Sequence, residues 1–154
     1  MIYSDQSALV LDTNSNEKRE YEILKAHSVV CRLSKADKRA LAEYLEHANH
    51  VGKSFYLALS RLISGKLHYA PDLDGTSPSH ATATGGSQIT FAIDKLRTQK
   101  GRLVYDEDYN PRHDDINMAS LLGSTLTGMK PGQTAPFLQA DGSFREVHLI
   151  SVDH

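Results

Sequence analysis

The chain has 154 residues, 40% of them hydrophobic, with 17 basic and 19 acidic side chains and a formal charge of −2. The length fits one domain or a small domain with an appendage, and the apolar content excludes global disorder. The missing basic excess argues against a generic nucleic-acid binder. A single cysteine, Cys31, excludes an intrachain disulfide and suits a reducing compartment. With no apolar run of about 18 residues and no signal-peptide pattern, a soluble cytoplasmic protein is expected.

Residues 1–21 open with a short apolar run, Ala8-Leu9-Val10-Leu11, and turn polar in "DTNSNEKRE". They read as a weak strand followed by a turn. Residues 22–33, "EILKAHSVVCRL", are rich in β-formers and read as a strand, so 1–33 is taken as an N-terminal strand and extension. Cys31 sits in the apolar run Val29-Val30-Cys31, and a small buried residue is a better reading of it than a nucleophile.

From Ser34 the period changes. "SKADKRALAEYLEHA" places Leu41, Tyr44, Leu45 and Ala48 on one helical face. Ser34 is a natural N-cap, with Asp37 three residues on as its capping-box partner. "NHVGKS" breaks the pattern at Gly52, and "SFYLALSRLIS" resumes it with Phe55, Leu59, Leu62 and Ile63 together. Two amphipathic helices joined by a short turn predict an antiparallel hairpin over 34–64. Residues 65–85 are rich in Pro, Gly, Ser, Thr and Asp, and read as a linker.

The last third alternates with period 2. "SQITFAID", "GRLVYDE", "INMA", "TAPFLQ" and "REVHLISV" read as strands, the last two joined by the hairpin signal Asp141-Gly142. Between them, "SLLGSTLTGMKPGQ" reads as a short helix with Leu121, Leu122, Leu126 and Met129 on one face, ended by Gly128. The expected fold is therefore α+β: a short N-terminal helical hairpin, then at 86–154 a mostly antiparallel sheet wrapped around one short helix.

Chemistry-bearing motifs are scarce. His47 and His50 lie three apart, yet no further ligands complete a zinc set, and there is no HExxH and no Cys pair. "DEDYNPRHDD" gathers five carboxylates but lacks the EF-hand spacing and its central Gly. "TGMKPGQT" is not a phosphate-binding loop, and no hydrolase or kinase signature is present. No catalytic residues, no metal and no cofactor are expected.

The run "INMASLLGSTLTGMKPGQTAPF", with "LQADGSFREVHLISV" after it, resembles the C-terminal domain of the GreA/GreB transcript-cleavage factors. The likeness rests on Ile116, Ser120, Leu122, Gly123, Leu126, Gly128, Gly132-Gln133, Gly142 and the closing "VHLISV". "GSQITF" and "GRLVY" resemble the opening strands of that domain. By layout the chain is most similar to the regulator of nucleoside diphosphate kinase, Rnk, which has a short helical hairpin where Gre factors have a long coiled coil.

The resemblance implies an FKBP-like C-terminal fold and no isomerase activity. It also implies RNA polymerase as partner, approached at the mouth of its secondary channel, with neither membrane binding nor sequence-specific nucleic-acid recognition. Gre factors reach the polymerase active site with acidic residues at the coiled-coil tip, which help hold a catalytic Mg²⁺. Two departures matter. A finger of roughly 15–25 Å, at ~1.5 Å per residue, is too short for that reach, and its turn carries no acid. Glu43 and Glu46 have Gre-like spacing but precede the tip. Ala119-Ser120-Leu121 stands where the family has an acid, Ser and Pro, near its docking surface. Partner contact is accordingly expected at His47, Asn49, His50 and Lys53, and at the Ala119–Leu121 turn. The alternative is an FKBP-like interaction module for another protein.

Overall fold

The computed structural model describes residues 2–73 and 81–154, with residues 2–15 as backbone alone. Three helices come first: α1 (Ile2–Val29), α2 (Lys35–Val51) and α3 (Ser54–Tyr69). Five strands and one short helix follow: β1 (Gln88–Ile93), β2 (Gln99–Val104), β3 (Asp115–Asn117), α4 (Leu121–Leu126), β4 (Thr134–Leu138) and β5 (Phe144–Asp153). The fold is α+β, as expected. No described helix is long and apolar enough to cross a membrane.

The N-terminal segment departs from expectation. Where the sequence suggested two strands within 1–33, α1 is a single helix to Val29. The reason lies in its buried face, Leu24, His27 and Ser28, which is continued just past the helix end by Cys31. Those positions have the i, i+3, i+4, i+7 spacing of a helix, but two of them are polar, so apolar periodicity alone did not show it. Ser28 is tolerated because its Oγ donates to Leu24 O at 2.7 Å.

The hairpin follows its local signals. Ser34 Oγ accepts from Asp37 N at 3.1 Å and caps α2. At the other end Gly52 takes φ 67°, and its N–H donates to Ala48 O at 3.2 Å, a left-handed stop that favours glycine. Leu41, Tyr44 and Ala48 face inward from α2, and Ala58, Leu59, Leu62 and Ile63 from α3. Phe55 shares the α3 face but lies at its open end, where it stays 37% exposed. α3 continues past residue 64 to Tyr69, into the stretch read as linker. Part of that linker, 74–80, lies outside the described residues.

The sheet has the order β3-β2-β1-β5-β4. Its pairs are antiparallel except β2–β3, which is parallel in the register Arg102–Asp115 to Val104–Asn117 and makes the sheet mixed. α4 packs against β3, β4 and α3. Leu126 is fully buried, whereas Leu122, expected to point under the sheet beside it, is only partly covered. Gly123 is required by close approach: a Cβ there would stand 1.9 Å from Asn117 O. One apolar cluster runs from Leu24, Leu41, Leu59 and Ile63 through Leu126 and Met129 to Ile89, Leu103 and Leu149. Helices and sheet therefore share a core.

Candidate functional site

The hairpin tip brings His47, Asn49, His50 and Lys53 to one exposed end of the molecule. Three of the four already have structural partners. The His47 ring meets Tyr56 edge-on at 5.6 Å between centroids, and Tyr56 in turn meets Phe55 at 5.0 Å. Asn49 Oδ1 accepts from Ser60 Oγ at 2.9 Å, tying α2 to α3. His50 Nδ1 donates to Glu46 O of its own helix at 3.0 Å. Lys53 occupies the N-cap position of α3 without a side-chain cap bond, and makes no ion pair among the described residues. Glu43 and Glu46 are exposed on α2 before the tip. At ~1.5 Å per residue, helices of 17 and 16 residues give a finger of ~25 Å.

The Ala119–Leu121 turn is held by its own polar groups. Asn117 Oδ1 accepts from Ala119 N at 2.9 Å, and Asn117 Nδ2 donates to Asp106 Oδ1 at 2.8 Å. Ser120 caps α4 by accepting from Gly123 N at 2.9 Å. Ala119 and Ser120 are half-buried and reachable, but Leu121 is buried and faces the core. A partner meeting this turn therefore touches Ala119 and Ser120, and Leu121 supports them from below. The acidic loop beyond β2 is likewise structured: it forms a 3-10 turn at Asp106–Asp108, and Asp115 Oδ2 accepts from Asn110 N at 3.1 Å.

The feature that sequence reasoning missed is the polar joint between helices and sheet. Lys66, on the inner face of α3, is fully buried. Its Nζ donates to Ser124 O at 2.6 Å, Thr125 O at 2.8 Å and Thr127 O at 2.8 Å. These are carbonyls from the C-terminal end of α4, which no further turn of that helix satisfies. Lys66 is thus a helix cap supplied from another element. Burial lowers its pKa from the ordinary lysine value, while three accepting carbonyls suit the three N–H donors of an ammonium. His27 adds to the joint from α1, its Nε2 donating to Thr125 O at 3.2 Å. Burial first, and then the charge of Lys66, hold its pKa well below 6.5.

On the other side of the joint, Asp37 accepts from Tyr105 Oη at 2.8 Å and from Gly85 N at 3.2 Å, rather than closing the expected capping box with the Ser34 backbone. Burial raises its pKa, against the lowering effect of these donors. Tyr44 Oη accepts from Asp106 N at 2.9 Å, and its phenol is pushed up to about 12, first by burial. All three hairpin residues of the joint carry a legible signal. Lys66 falls on the stripe Leu59, Leu62, Ile63, Lys66, where a charge has no place unless it is partnered. Asp37 and Tyr44 lie on the buried stripe of α2.

Cys31 Sγ lies 3.7 Å from His27 Nε2, a pairing found in thiol catalysis. Both groups are buried, however, and burial raises the thiol pKa, so the neutral thiol dominates and packs as a small apolar group. Among the described residues no three His, Cys, Asp or Glu gather into a metal-binding group. The arrangement is a finger ending in a cation that makes no ion pair among the described residues, fixed at its base by hydrogen bonds to α4 and to the turns beside β1 and β2.

The sequence matches no protein-family model and no curated protein. Among solved structures the chain is similar to a prokaryotic transcription elongation factor GreA/GreB from Nitrosomonas europaea. The two are 20% identical, with a TM-score of 0.56 over 80% of this chain and 98% of that one. It also aligns with GreA factor homolog 1 (Gfh1) of Thermus thermophilus, at 17% identity over 80% of this chain and 99% of that one, with a TM-score of 0.40. For Gfh1 of Thermus aquaticus the values are 15%, 82%, 99% and 0.43. At those scores the two Gfh1 alignments add nothing to the fold assignment, which rests on the first. The chain shares the fold of a GreA/GreB-type elongation factor.

Proposed function

We propose that this protein is a transcription regulator of the Gre/Rnk type, which binds RNA polymerase at the mouth of the secondary channel and does not stimulate transcript cleavage. The observation that carries the reading is a GreA/GreB-type fold whose helical finger is ~25 Å long and ends in Gly52-Lys53, with no acid in the turn. A finger that short stops before a buried active centre, and its end offers a cation where cleavage factors present carboxylates. The contact chemistry then reverses: Lys53 pairs with carboxylates on the channel wall, while His47, Asn49 and His50 shape the tip. Glu43 and Glu46 remain on the solvated side of α2. The Rnk likeness enters through the short hairpin, and the reading is of a binder rather than an enzyme.

The test is competition on stalled elongation complexes. The protein is expected to slow Gre-stimulated RNA cleavage and to stimulate none alone. Lys53→Glu is expected to weaken polymerase binding more than Glu43→Lys, with wild-type affinity falling as salt rises, because exposed charge pairs are screened beyond roughly 8–10 Å. Robust cleavage by the protein alone, or equal binding by wild type and Lys53→Glu at low salt, overturns the reading.

A further inference from the structure

α3 packs against both α1 and α2, while those two helices barely meet each other. The angle left between them is a groove of about 760 Å³, lined from all three helices. Its floor is the exposed stripe Arg61, Ser64 and His68 of α3, where Ser64 and the neighbouring Gly65 leave room for a helix to lie close. Tyr21 and Leu24 of α1 form one wall and Leu45 of α2 the other. The groove has the shape of a three-helix bundle that lacks its fourth member.

The α1 wall indicates which helix fills it. Glu17, Tyr21 and Lys25 all line the groove and are spaced by four, so they form one stripe along α1. Their order is acid, aromatic, base, and that order is complementary to its own reverse. A second α1, laid antiparallel about a two-fold axis at Tyr21, sets the two Tyr21 rings together and each Glu17 against the other copy's Lys25. Such a contact is isologous, the form taken by most homodimers.

Within one copy the stripe is incompletely used. Tyr21 meets Tyr69 edge-on at 6.0 Å between centroids but stays 49% exposed. Lys25 Nζ lies 5.1 Å above the Tyr69 ring, and neither Lys25 nor Glu17 makes an ion pair among the described residues. Glu20, also in the lining, is already paired with Arg61 at 2.5 Å. The charges left over on the stripe are therefore one acid and one base. An unrelated helix has to supply their counterparts in reversed order, whereas a second copy of this chain carries them in its own α1.

We propose that the protein forms a two-fold symmetric homodimer in which α1 of each copy lies in the groove of the other, with Tyr21 at the axis. Lys53 does not line the groove, and the inference is independent of what the hairpin tip binds.

Sedimentation equilibrium of the full chain alone tests it, from about 1 to 200 µM, a range that reads dissociation constants on the micromolar scale. Wild type is expected to pass from monomer to dimer across that range. Glu17→Lys and Lys25→Glu each set two like-charged pairs face to face, and each is expected to weaken the dimer at least ~10-fold at low salt. Mixed in equal amounts, the two variants are expected to form a heterodimer within ~3-fold of wild-type affinity, because every facing pair is again opposite in sign. A folding defect is not repaired by mixing, so this rescue separates a lost contact from a damaged chain.

Wild type that stays monomeric at the highest concentration overturns the inference and leaves the reading of the hairpin standing. A dimer that both single reversals leave intact, or that mixing the two variants does not restore, lies on another face and overturns it equally.

Discussion

Replacing Lys66 by methionine keeps most of the side-chain volume in a fully buried site and removes three hydrogen bonds. Of the three carbonyls it serves, Thr125 O keeps the His27 Nε2 donor at 3.2 Å, while Ser124 O and Thr127 O lose their only side-chain donor. Leaving a buried acceptor unpaired costs about 1–3 kcal/mol each, so two give ~2–6 kcal/mol. The substitution also removes the desolvation of a buried ammonium, which offsets part of that loss. A net destabilisation of ~2–4 kcal/mol is expected, a large share of the 5–15 kcal/mol typical of a domain. Urea denaturation followed by circular dichroism measures it as a fall in midpoint at unchanged slope. A Lys66→Met protein as stable as wild type, or more so, would refute the reasoning: the bonds from Nζ would then return no more than the burial of its charge costs.

Two further perturbations probe the same joint. His27 has a folded pKa well below its unfolded value of 6.5, so below neutrality the unfolded chain binds a proton that the native one refuses. Stability should fall as pH drops below 6.5, with a limiting slope of ~1.4 kcal/mol per unit, and His27→Gln should flatten that slope in pH-dependent urea melts. Tyr105→Phe removes the donor to Asp37 Oδ1 at 2.8 Å and should cost about 1.5–3 kcal/mol near neutral pH, as for a bond to a charged acceptor. Because burial raises the Asp37 pKa, its carboxyl protonates early on acidification, and the measured difference between Tyr105→Phe and wild type should shrink there; a constant difference down to pH 4 would argue against an ionised Asp37.

Elements whose burial is apolar were legible in the sequence. α2 and α3 announce themselves by Leu41, Tyr44, Ala48, Leu59, Leu62 and Ile63, and their boundaries by Ser34 and Gly52. β1, β4 and β5 follow from alternation, and α4 from its Ser120 cap and leucines. What went unread is buried polarity, whose partners lie far away in sequence. The helical stripe of α1 contains His27 and Ser28, so a period-3.6 pattern was read as β-rich chain. Asp37 looked like half of a local capping box because nothing nearby in sequence names Tyr105, 68 residues away, as its donor. The parallel β2–β3 pair is also long-range in cause, since the chain crosses back through the self-bonded Asp106–Asp115 loop. At the tip, sequence supplied the residues but not the division of labour among them. Only the structure separates Asn49 and His47, which tie α2 to α3, and His50, bonded within its own helix, from Lys53, which makes no ion pair among the described residues.

That division gives the joint its meaning. A finger that docks by one cation at its end gains little from that contact alone, because an exposed ion pair contributes roughly 0–1 kcal/mol. Affinity must come from presenting several weak contacts in fixed relative positions, so that ordering them is not charged against binding. Lys66, His27, Asp37 and Tyr44 do this by tying α1, α2 and α3 to α4 and to the turns beside β1 and β2, and they do it with directional bonds. An apolar seam alone would allow the hairpin to slide. Three N–H donors converging on the end of α4, and a carboxylate shared between Tyr105 and Gly85, fix its angle as well as its position. The tip and the Ala119-Ser120 turn are then held in fixed relative positions. Loosening the joint by Lys66→Met should therefore weaken partner binding even though Lys66 touches no partner.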